Sequence, residues 1–326
     1  MLVLRKSREK RETIGMNDLV QLVSSTLSGP GVDWKQVILL GMTPIFLIAF
    51  AIEWHLRGKN GPQHRMWSQF DWREIITNLS LGGSYQVFEV IMHLFVSGAL
   101  ISWFYSQRLF DIPVNGWTIL PIFVAVEFCY YWFHRSSHKL RWFWSAHVVH
   151  HSSETMNMTT AMRQSLLYSI TGWWLFFMPL VLLGVNPAVV FALYAFNLSY
   201  QFFIHTEAVG KLHPWLEFWL DTPSNHRVHH GRNPEYIDQN YGGVLIIFDR
   251  LFGTYAEEKR SNPVEYGIVD QIYSHNILTL NFHEFYAMWR DAVRAGGLRQ
   301  GLAVVFSPPN RHQADPALAE PNLAGK

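Results

Sequence analysis

The sequence predicts an all-α fold, an integral-membrane helical bundle of about four to five spans with a cytoplasmic helical cap that holds a histidine-rich dinuclear metal site. Three observations predict it. Hydrophobic residues make up 49% of the 326-residue chain, and aromatic residues make up 15%. The apolar residues form five long stretches. Most of the histidines cluster close to the ends of these stretches.

The charge and the cysteine content exclude several classes of protein. The formal net charge is +1, without the basic stripe that is typical of a nucleic-acid-binding protein. Cys129 is the one cysteine and lies in an apolar run, which excludes disulfide frameworks and thiolate-bound zinc or iron–sulfur sites. A metal in this protein must therefore be held by nitrogen and oxygen ligands.

Five stretches are long and apolar enough to cross a bilayer, whose hydrocarbon core takes about 20 helical residues. They are 37–53, 85–105, 116–133, 166–184 and 187–204. Two residues separate the last two stretches and Pro187 opens the fifth, so these two are expected to form a tight helical hairpin. A buried soluble core also produces apolar runs, but five runs with this aromatic content favour a membrane protein.

The order of the spans brings two distant histidines to one face of the membrane. If the third span ends at Phe133, the fourth leaves that face and the fifth returns to it at Ile204, so His134 and His205 emerge together. The connections on this face are basic, whereas the opposite ones carry only Arg108, and the positive-inside rule makes this face cytoplasmic. Its basic residues are Arg57, Lys59, Arg65, Arg73, Arg135, Lys139, Arg141 and Arg163. Five full spans would place the N-terminal RKSREKR on the opposite face; either this cluster lies too far from a span to count strongly or the first stretch does not span fully, and the sequence leaves this open.

Nine of the sixteen histidines fall into four clusters on this face. The clusters are HRSSH with His134 and His138, HVVHH with His147, His150 and His151, the single His205, and NHRVHH with His226, His229 and His230. Residues three and four apart on a helix lie on one face, so each paired cluster presents its imidazoles together. Two copies of HxxHH in one chain are not expected by chance.

The density of imidazoles points to bound metal. Without a metal they would repel one another on protonation and leave many ring nitrogens without partners. A metal removes both problems because it binds neutral imidazole and fixes its tautomer. Nine nitrogens exceed the coordination number of any single ion, so their number predicts two metals.

The redox metals fit this ligand set better than zinc does. Zinc normally stops at four ligands and carries out no redox chemistry, whereas copper, nickel and iron all accept imidazole. If both metals are six-coordinate, about three positions remain for water, a bridging oxygen or O2, which suits a pair of irons that activate O2. A bis-histidine haem protein is the alternative, but it requires single histidines inside facing helices.

Three glutamates near the clusters are candidate catalytic residues, Glu127, Glu154 and Glu207. Glu127 lies two turns before His134 within the third span, where an ionisable residue is costly and is a functional candidate by default. Glu154 follows the second cluster, and Glu207 and Asp221 precede the fourth. Carboxylates in such positions orient ligand histidines in other metal sites. A solvated loop charge or a buried ion pair is an equally good interpretation of Glu207 and Asp221.

Five motifs occur in a fixed order between residues 120 and 256. They are HRSSH, WSAHVVHHSSETMN, TTAMRQS, FFIHTE and DTPSNHRVHHGRNPEYIDQNYGGVLIIFDRLFGTY. In this order they resemble the fatty acid hydroxylase and sterol desaturase superfamily of integral-membrane di-iron oxygenases. Within it, HHSSE, HHGRN and the run that ends in FGTY look most like the pterin-dependent hydroxylases of alkylglycerol ether lipids.

The resemblance implies that all nine clustered histidines ligate two Fe ions. The chain carries no flavin or nicotinamide fingerprint, so the resemblance also implies an external redox partner, either a tetrahydropterin or another electron donor. Asn225 departs from the pattern, because the ether-lipid enzymes are expected to have a further histidine there. Arg163, Gln164 and Arg232 are candidate residues for binding a pterin or a lipid headgroup. Neutralisation of lipid phosphate is the alternative for each of them.

The sequence predicts an N-terminal tail at 1–36, a single membrane-embedded hydroxylase domain at 37–306 and a flexible C-terminal tail at 307–326, with the histidine region at 127–256. No signal peptide is expected, because no apolar segment with a cleavage site follows the basic N-terminus.

The predicted function is an O2-dependent di-iron lipid monooxygenase or desaturase, with an alkylglycerol-type ether lipid as a candidate substrate. Sterol desaturation and hydroxylation of a fatty acyl chain or an aminolipid are the alternatives within the superfamily. A membrane metal transporter or sensor is the alternative of another class, and it predicts ligands along a path through the spans. No nucleic-acid partner is expected, and the sequence makes no prediction of oligomeric state.

Overall fold

The computed structural model describes residues 33–60 and 71–309, and it describes side chains for 33–56 and 71–309. The predicted tails and the basic residues Arg57, Lys59 and Arg65 lie wholly or partly outside the described residues. Within the described ranges the chain is helical, with isolated bridges and no strands. The α-helices are α1 (Trp34–Asn60), α2 (Trp72–Met92), α3 (Gly98–Ser106), α4 (Ile119–Lys139), α5 (Arg141–His151), α6 (Leu167–Thr171), α7 (Met178–Leu183), α8 (Pro187–Ile204), α9 (Pro214–Trp219), α10 (Pro223–His229), α11 (Ile247–Phe252), α12 (Ile277–Arg294) and α13 (Leu298–Val305).

Three helical segments in the described residues are long and apolar enough to cross a membrane: Trp34–Leu56, Trp72–Ser106 and Pro187–Ile204. They contain the predicted spans 37–53, 85–105 and 187–204. The second is α2 and α3 joined without a break by a π-helical turn, His93–Ser97. Large apolar side chains cover the outer faces of α1 to α3, such as Leu40 and Phe95, which are 58% and 79% exposed. These faces are suited to contact lipid.

The two remaining span predictions differ from the structure. Stretch 116–133 lies mostly within α4, but the last two turns of that helix carry the polar HRSSHK sequence, and half of its side chains are buried in protein. Stretch 166–184 is not one helix. Gly172 takes a left-handed conformation with φ 89°, so α6 ends there, and a 3₁₀ turn (Trp173–Phe177) precedes α7. A break in regular backbone at membrane depth is tolerated where protein surrounds it.

The broken segment still carries the chain to the end of the bundle opposite the histidines. There, Leu109 and Ile112 donate backbone hydrogen bonds to the carbonyls of Leu182 and Gly184, which end α7. Both α4 and α8 therefore run from this end toward the histidines. The two helices are joined along the way by a hydrogen bond from the Tyr130 hydroxyl to Gln201, 2.9 Å long.

Aromatic side chains fill the space between α4, α8 and the broken segment. Trp173 stacks on Tyr194 with a centroid distance of 4.7 Å, and Phe177 packs on the same ring at 4.8 Å. On the other side, α12 packs against α5, where Arg141 pairs with Glu284 at 2.7 Å. The helices that carry histidines are thus fixed on both sides.

We predict that Gly184→Ala destabilises the protein strongly. Gly184 has φ 111°, and an added Cβ would lie 1.9 Å from the Phe110 carbonyl oxygen. Substitutions at such positions cost more than about 1 kcal/mol. Thermal unfolding of the purified chain in detergent measures the loss. Gly41→Ala is the control because its Cβ would meet no atom within 4 Å, and equal melting temperatures for the two variants would contradict the prediction.

Candidate metal centre

The fold brings the nine clustered histidines together at one end of the helical bundle. The helix α4 supplies two of them, α5 three, the end of α8 one, and α10 with the residue after it the remaining three. All nine side chains are buried, with exposed fractions of 6% or less. Three separate parts of the chain, namely α4 with α5, the end of α8, and α10, therefore build one imidazole-lined interior.

The imidazoles form two groups, each with ligand atoms that lie within 4.8 Å of one another. The five-histidine group is His134, His138, His147, His151 and His229. The four-histidine group is His150, His205, His226 and His230. Each HxxHH motif is divided between the two groups. The spacing in the sequence therefore predicts a shared helix face, but not which group each histidine joins.

The Nδ1 atoms of six histidines face outward to polar partners. The partners are the carbonyl oxygens of Tyr241 for His134 (2.9 Å), Gln201 for His205 (2.6 Å), Gln239 for His229 (3.0 Å) and Arg163 for His150 (3.3 Å), the carboxylate of Asp221 for His226 (3.0 Å) and the Tyr168 hydroxyl for His147. A ring that donates its Nδ1–H outward keeps a lone pair on Nε2, which is the tautomer that binds metal through Nε2.

The Nε2 atoms converge at distances that suit ligands of a shared cation. His205 lies 2.9 Å from His226 and 3.2 Å from His150, measured between Nε2 atoms. Two Nε2 lone pairs this close repel each other. The Nε2 atoms of His229 and His230, which are also buried, have no hydrogen-bond partner. Ions placed within the two groups would satisfy all of these atoms, so the donor set fits two metals.

Burial also favours the neutral form of these rings. Burial, and then the neighbouring imidazoles, lower the pKa well below that of free histidine for the four residues His151, His226, His229 and His230. They are therefore neutral at physiological pH, and neutral imidazole is the form that ligates metal. The five imidazoles of the larger group also exceed the four ligands that a zinc site normally takes.

A mainly apolar cavity of about 390 Å³ ends at the histidines. His134 and His147 of one group and His150 and His205 of the other line its inner end. Its outer part lies between α1 and α2, where the lining residues Leu40 and Val87 are exposed. The cavity thus connects the lipid-facing surface of these helices with both histidine groups.

Comparison with known proteins matches residues 119–254 to the family model of the fatty acid hydroxylases. Residues 119–254 are thus similar to a fatty acid hydroxylase domain. The matched segment contains all nine histidines of the two groups and begins at the first residue of α4.

Curated relatives extend the similarity beyond the hydroxylase domain. The chain is 38% identical over 297 residues to alkylglycerol monooxygenase of Homo sapiens, covering 87% of this chain and 63% of that protein. It is 40% identical over 258 residues to that of Danio rerio, covering 78% and 57%. Ornithine lipid hydroxylase OlsE of Rhizobium tropici is 28% identical over 160 residues, covering 49% and 48%. This chain thus spans less than two thirds of each relative. No solved structure gives a significant match.

Glu127 connects helices within the hydroxylase domain. Its carboxylate accepts hydrogen bonds from the Asn197 side chain (2.6 Å) and from the backbone N–H groups of Val244 (2.8 Å) and Leu245 (3.0 Å). It does not line the apolar cavity. These contacts tie α4 to α8 and to the segment before α11, so they assign Glu127 a structural task.

The other two candidate glutamates also lie away from the cavity. Glu154 is exposed. Glu207 is half-buried and hydrogen-bonded to Tyr266. The catalytic role of Glu127, Glu154 and Glu207 stays a prediction, and none of the three lines the cavity.

Two further carboxylates, which were not among the candidates, lie beside a ligand histidine or beside the backbone that holds one. Asp238 lies 3.6 Å from the Nδ1 atom of His138. Asp249 accepts hydrogen bonds from the N–H groups of Tyr241 and Gly242, both 2.7 Å long, and so fixes the carbonyl that holds His134. The motif IDQNYGGVLIIFDR contains both aspartates. The motif alone does not reveal that Asp238 neighbours a ligand or that Asp249 orients a backbone carbonyl.

The three candidate cofactor-binding residues lie in different places. Arg163 is buried and donates to Glu74 (3.2 Å), Asn78 (3.0 Å) and Ser152 (3.0 Å), while its carbonyl faces His150. It therefore has no surface for a cofactor.

Gln164 and Arg232 are both accessible from cavities, but not from the same one. Gln164 lines the apolar cavity. Arg232 lines a separate cleft on another side of the five-histidine group. The structure thus does not bring the three residues together.

We predict that Asp221→Asn weakens metal binding by about 10- to 100-fold, the usual effect of losing a partner that orients a ligand histidine. The carboxylate of Asp221 is fully buried and bonded to His226, and its loss relaxes the orientation of that ring. Titration of the metal-free protein with Fe²⁺ measures the affinity. Asp111→Asn, an exposed carboxylate far from the histidines, is the control, and an unchanged affinity for Asp221→Asn would contradict the role given to this residue.

Proposed function

We propose that this chain is a membrane-bound di-iron oxygenase that hydroxylates a C–H bond of a lipid with O2 and an external reductant. The observation that carries the proposal is the apolar cavity, because it links the lipid-facing side of α1 and α2 with both histidine groups. Two irons held by these histidines would supply the activation of O2 and the insertion of one oxygen atom.

The protein's own part in such a reaction is positioning and the exclusion of water. The cavity walls are apolar and aromatic, and they include Phe133, Tyr168 and Trp173. An alkyl chain that enters between α1 and α2 displaces water from them, and its innermost carbon lies next to the imidazoles of both groups. Because one C–H bond is held there in a fixed geometry, the reaction does not depend on a chance encounter of the reactants. The exclusion of water also prevents side reactions of the activated oxygen.

An alkylglycerol-type ether lipid is the substrate we propose first. Its support is the name of the two relatives at 38% and 40% identity. Hydroxylation of an aminolipid is the second candidate and is supported by the similarity to an ornithine lipid hydroxylase. A metal transporter is disfavoured because the histidines gather at one end of the bundle and do not line a path through it.

The proposal includes a cytoplasmic orientation of the site. Arg135, Lys139 and Arg141 lie at the histidine end of α4 and α5, and Arg108 lies at the opposite end. By the positive-inside rule this asymmetry favours a cytoplasmic histidine end. The proposal also includes a tetrahydropterin as the electron donor. Residues 37–306 form the functional domain in this proposal.

We predict that His150→Ala and His229→Ala each abolish lipid oxidation and lower the iron content, while the chain stays in the membrane. Each variant removes one ligand from a different group. The assay uses the full chain in lipid nanodiscs with Fe²⁺, O2, a tetrahydropterin and an alkylglycerol. Incorporation of ¹⁸O from labelled O2 reports hydroxylation, and elemental analysis reports iron.

The control for the histidine variants is His55→Ala, because His55 is exposed on α1 and outside both groups. Full oxidation by His150→Ala or His229→Ala after loss of iron would contradict the di-iron assignment.

We also predict that Gly83→Leu raises KM for a long-chain lipid without lowering iron content. Gly83 lines the cavity, and a Cβ added to it would meet no atom within 4 Å, so a leucine side chain fits there and occupies the lipid path. Gly41→Leu places the same side chain in open space on α1, away from the cavity lining. Equal KM values for the two variants would contradict the proposed path.

A further inference from the structure

The five-histidine group also borders a second cleft, which is lined by other residues than the apolar cavity. This cleft has a volume of about 180 Å³, and His138, His151 and His229 form part of its lining. It shares no lining residue with the apolar cavity. Since each space is lined by different members of the histidine cluster, the imidazoles themselves lie between the two.

The walls of the cleft combine a flat aromatic surface with carboxylates. Trp144 packs against the rings of His138 and His151, with centroid distances of 5.4 and 5.9 Å, and lines the cleft beside them. Asp238 and Asp270 contribute carboxylates to the lining. The aromatic wall suits a planar ligand, and the carboxylates suit a ligand that carries N–H donors.

The charges of the lining disfavour a nucleotide. Arg232 is the one guanidinium among the lining residues described, and it lies 3.6 Å from Glu265. Phosphates are normally bound by several cationic or backbone N–H groups. A flavin or nicotinamide dinucleotide is therefore a poor match for this cleft in both charge and size.

The outer wall of the cleft is fixed to a ligand helix. The side chain of Gln271 donates a hydrogen bond of 2.9 Å to the carbonyl of Ser152, the residue that follows His151. It also accepts a hydrogen bond of 3.0 Å from the Ile268 N–H. Loop 267–270 is thus held at a set distance from the five-histidine group. The cleft is a built feature of the fold and not a gap between loose segments.

Lipid hydroxylation needs a second, water-soluble reactant. One lipid C–H, one O2, two electrons and two protons give one C–OH and one water, so a donor must give up two electrons and two protons. A lipid that fills the apolar cavity closes that route to a polar molecule. We propose that the second cleft binds the electron donor, a small planar heterocycle rich in N–H groups, the class to which reduced pterins belong. This inference rests on the proposed function, since it names the partner of the same metal centre.

Binding of a tetrahydropterin under anaerobic conditions, measured by equilibrium dialysis with the iron-loaded chain in nanodiscs, tests the inference. Val269 lines the cleft and is 49% exposed, so Val269→Trp fills the cleft without burying a new side chain in the core. We expect Kd for the pterin to rise by at least roughly tenfold, equivalent to about 1.4 kcal/mol. Iron content and KM for the lipid stay unchanged. Val293→Trp, on the exposed face of α12, is the matched control.

Asp270→Asn tests the recognition of N–H groups separately from space. The substitution keeps the size of the side chain and removes the charge, so we expect a several-fold weaker Kd for the pterin. Asp111→Asn is the control, and it leaves Kd unchanged. Wild-type affinity for the pterin in Val269→Trp would overturn the inference. The same holds if the wild-type chain binds no pterin, or if only a redox protein reduces the chain.

The binding measurement keeps this inference separate from the proposed function. If the wild-type chain binds the pterin and Val269→Trp does not, the cleft is the donor site even if no lipid tested is oxidised. In that case the proposed lipid substrate fails and the assignment of the cleft stands.

Discussion

The outward anchoring of the imidazole Nδ1 atoms is the constraint on which the rest of the structure depends. Nine buried rings whose Nε2 atoms face one another can be neutral and metal-ready only if the Nδ1–H groups find acceptors elsewhere. Four of the six anchors that the hydrogen bonds define are backbone carbonyls, including those of Tyr241 and Gln239. Because the direction of a carbonyl is set by its peptide plane, these hydrogen bonds to the histidine cluster restrict the conformation of loops distant in sequence.

Two of the buried charged side chains near the histidines stabilise those loops. Arg163 illustrates this, because its guanidinium is bonded to Glu74 and Asn78 of α2 while its own carbonyl faces His150. Removing one partner of such a buried pair leaves an uncompensated charge. This loss destabilises a protein far more than the loss of a surface ion pair does. Asp249 performs the same task for the Tyr241 carbonyl. Arg163 and Asp249 thus belong to the frame that orients the ligand histidines.

The sequence was sufficient to predict what depends on local spacing. Helical spacing in HRSSH and HVVHH predicts clustered imidazoles, and the alternation of spans predicts that His134 and His205 emerge at the same end of the bundle. What it could not predict depends on distant partners. Glu127 is bonded to residues 70 and 117 positions away, so its structural task was not visible from its place in an apolar run. The break at Gly172 was also missed, because the apolar composition of 166–184 is the same whether the segment is one helix or two.

The division of the histidines makes the two metal positions unequal. Both groups border the apolar cavity, but in the described residues only the five-histidine group borders the second cleft. With five and four ligands, the four-histidine group leaves more coordination positions free. In the proposed function, a lipid in the apolar cavity would border both groups, whereas a donor in the second cleft would border only the five-histidine group. Separate access of this kind lets an alkyl chain keep water out of one side while electrons arrive from the other, which a single shared opening would not allow.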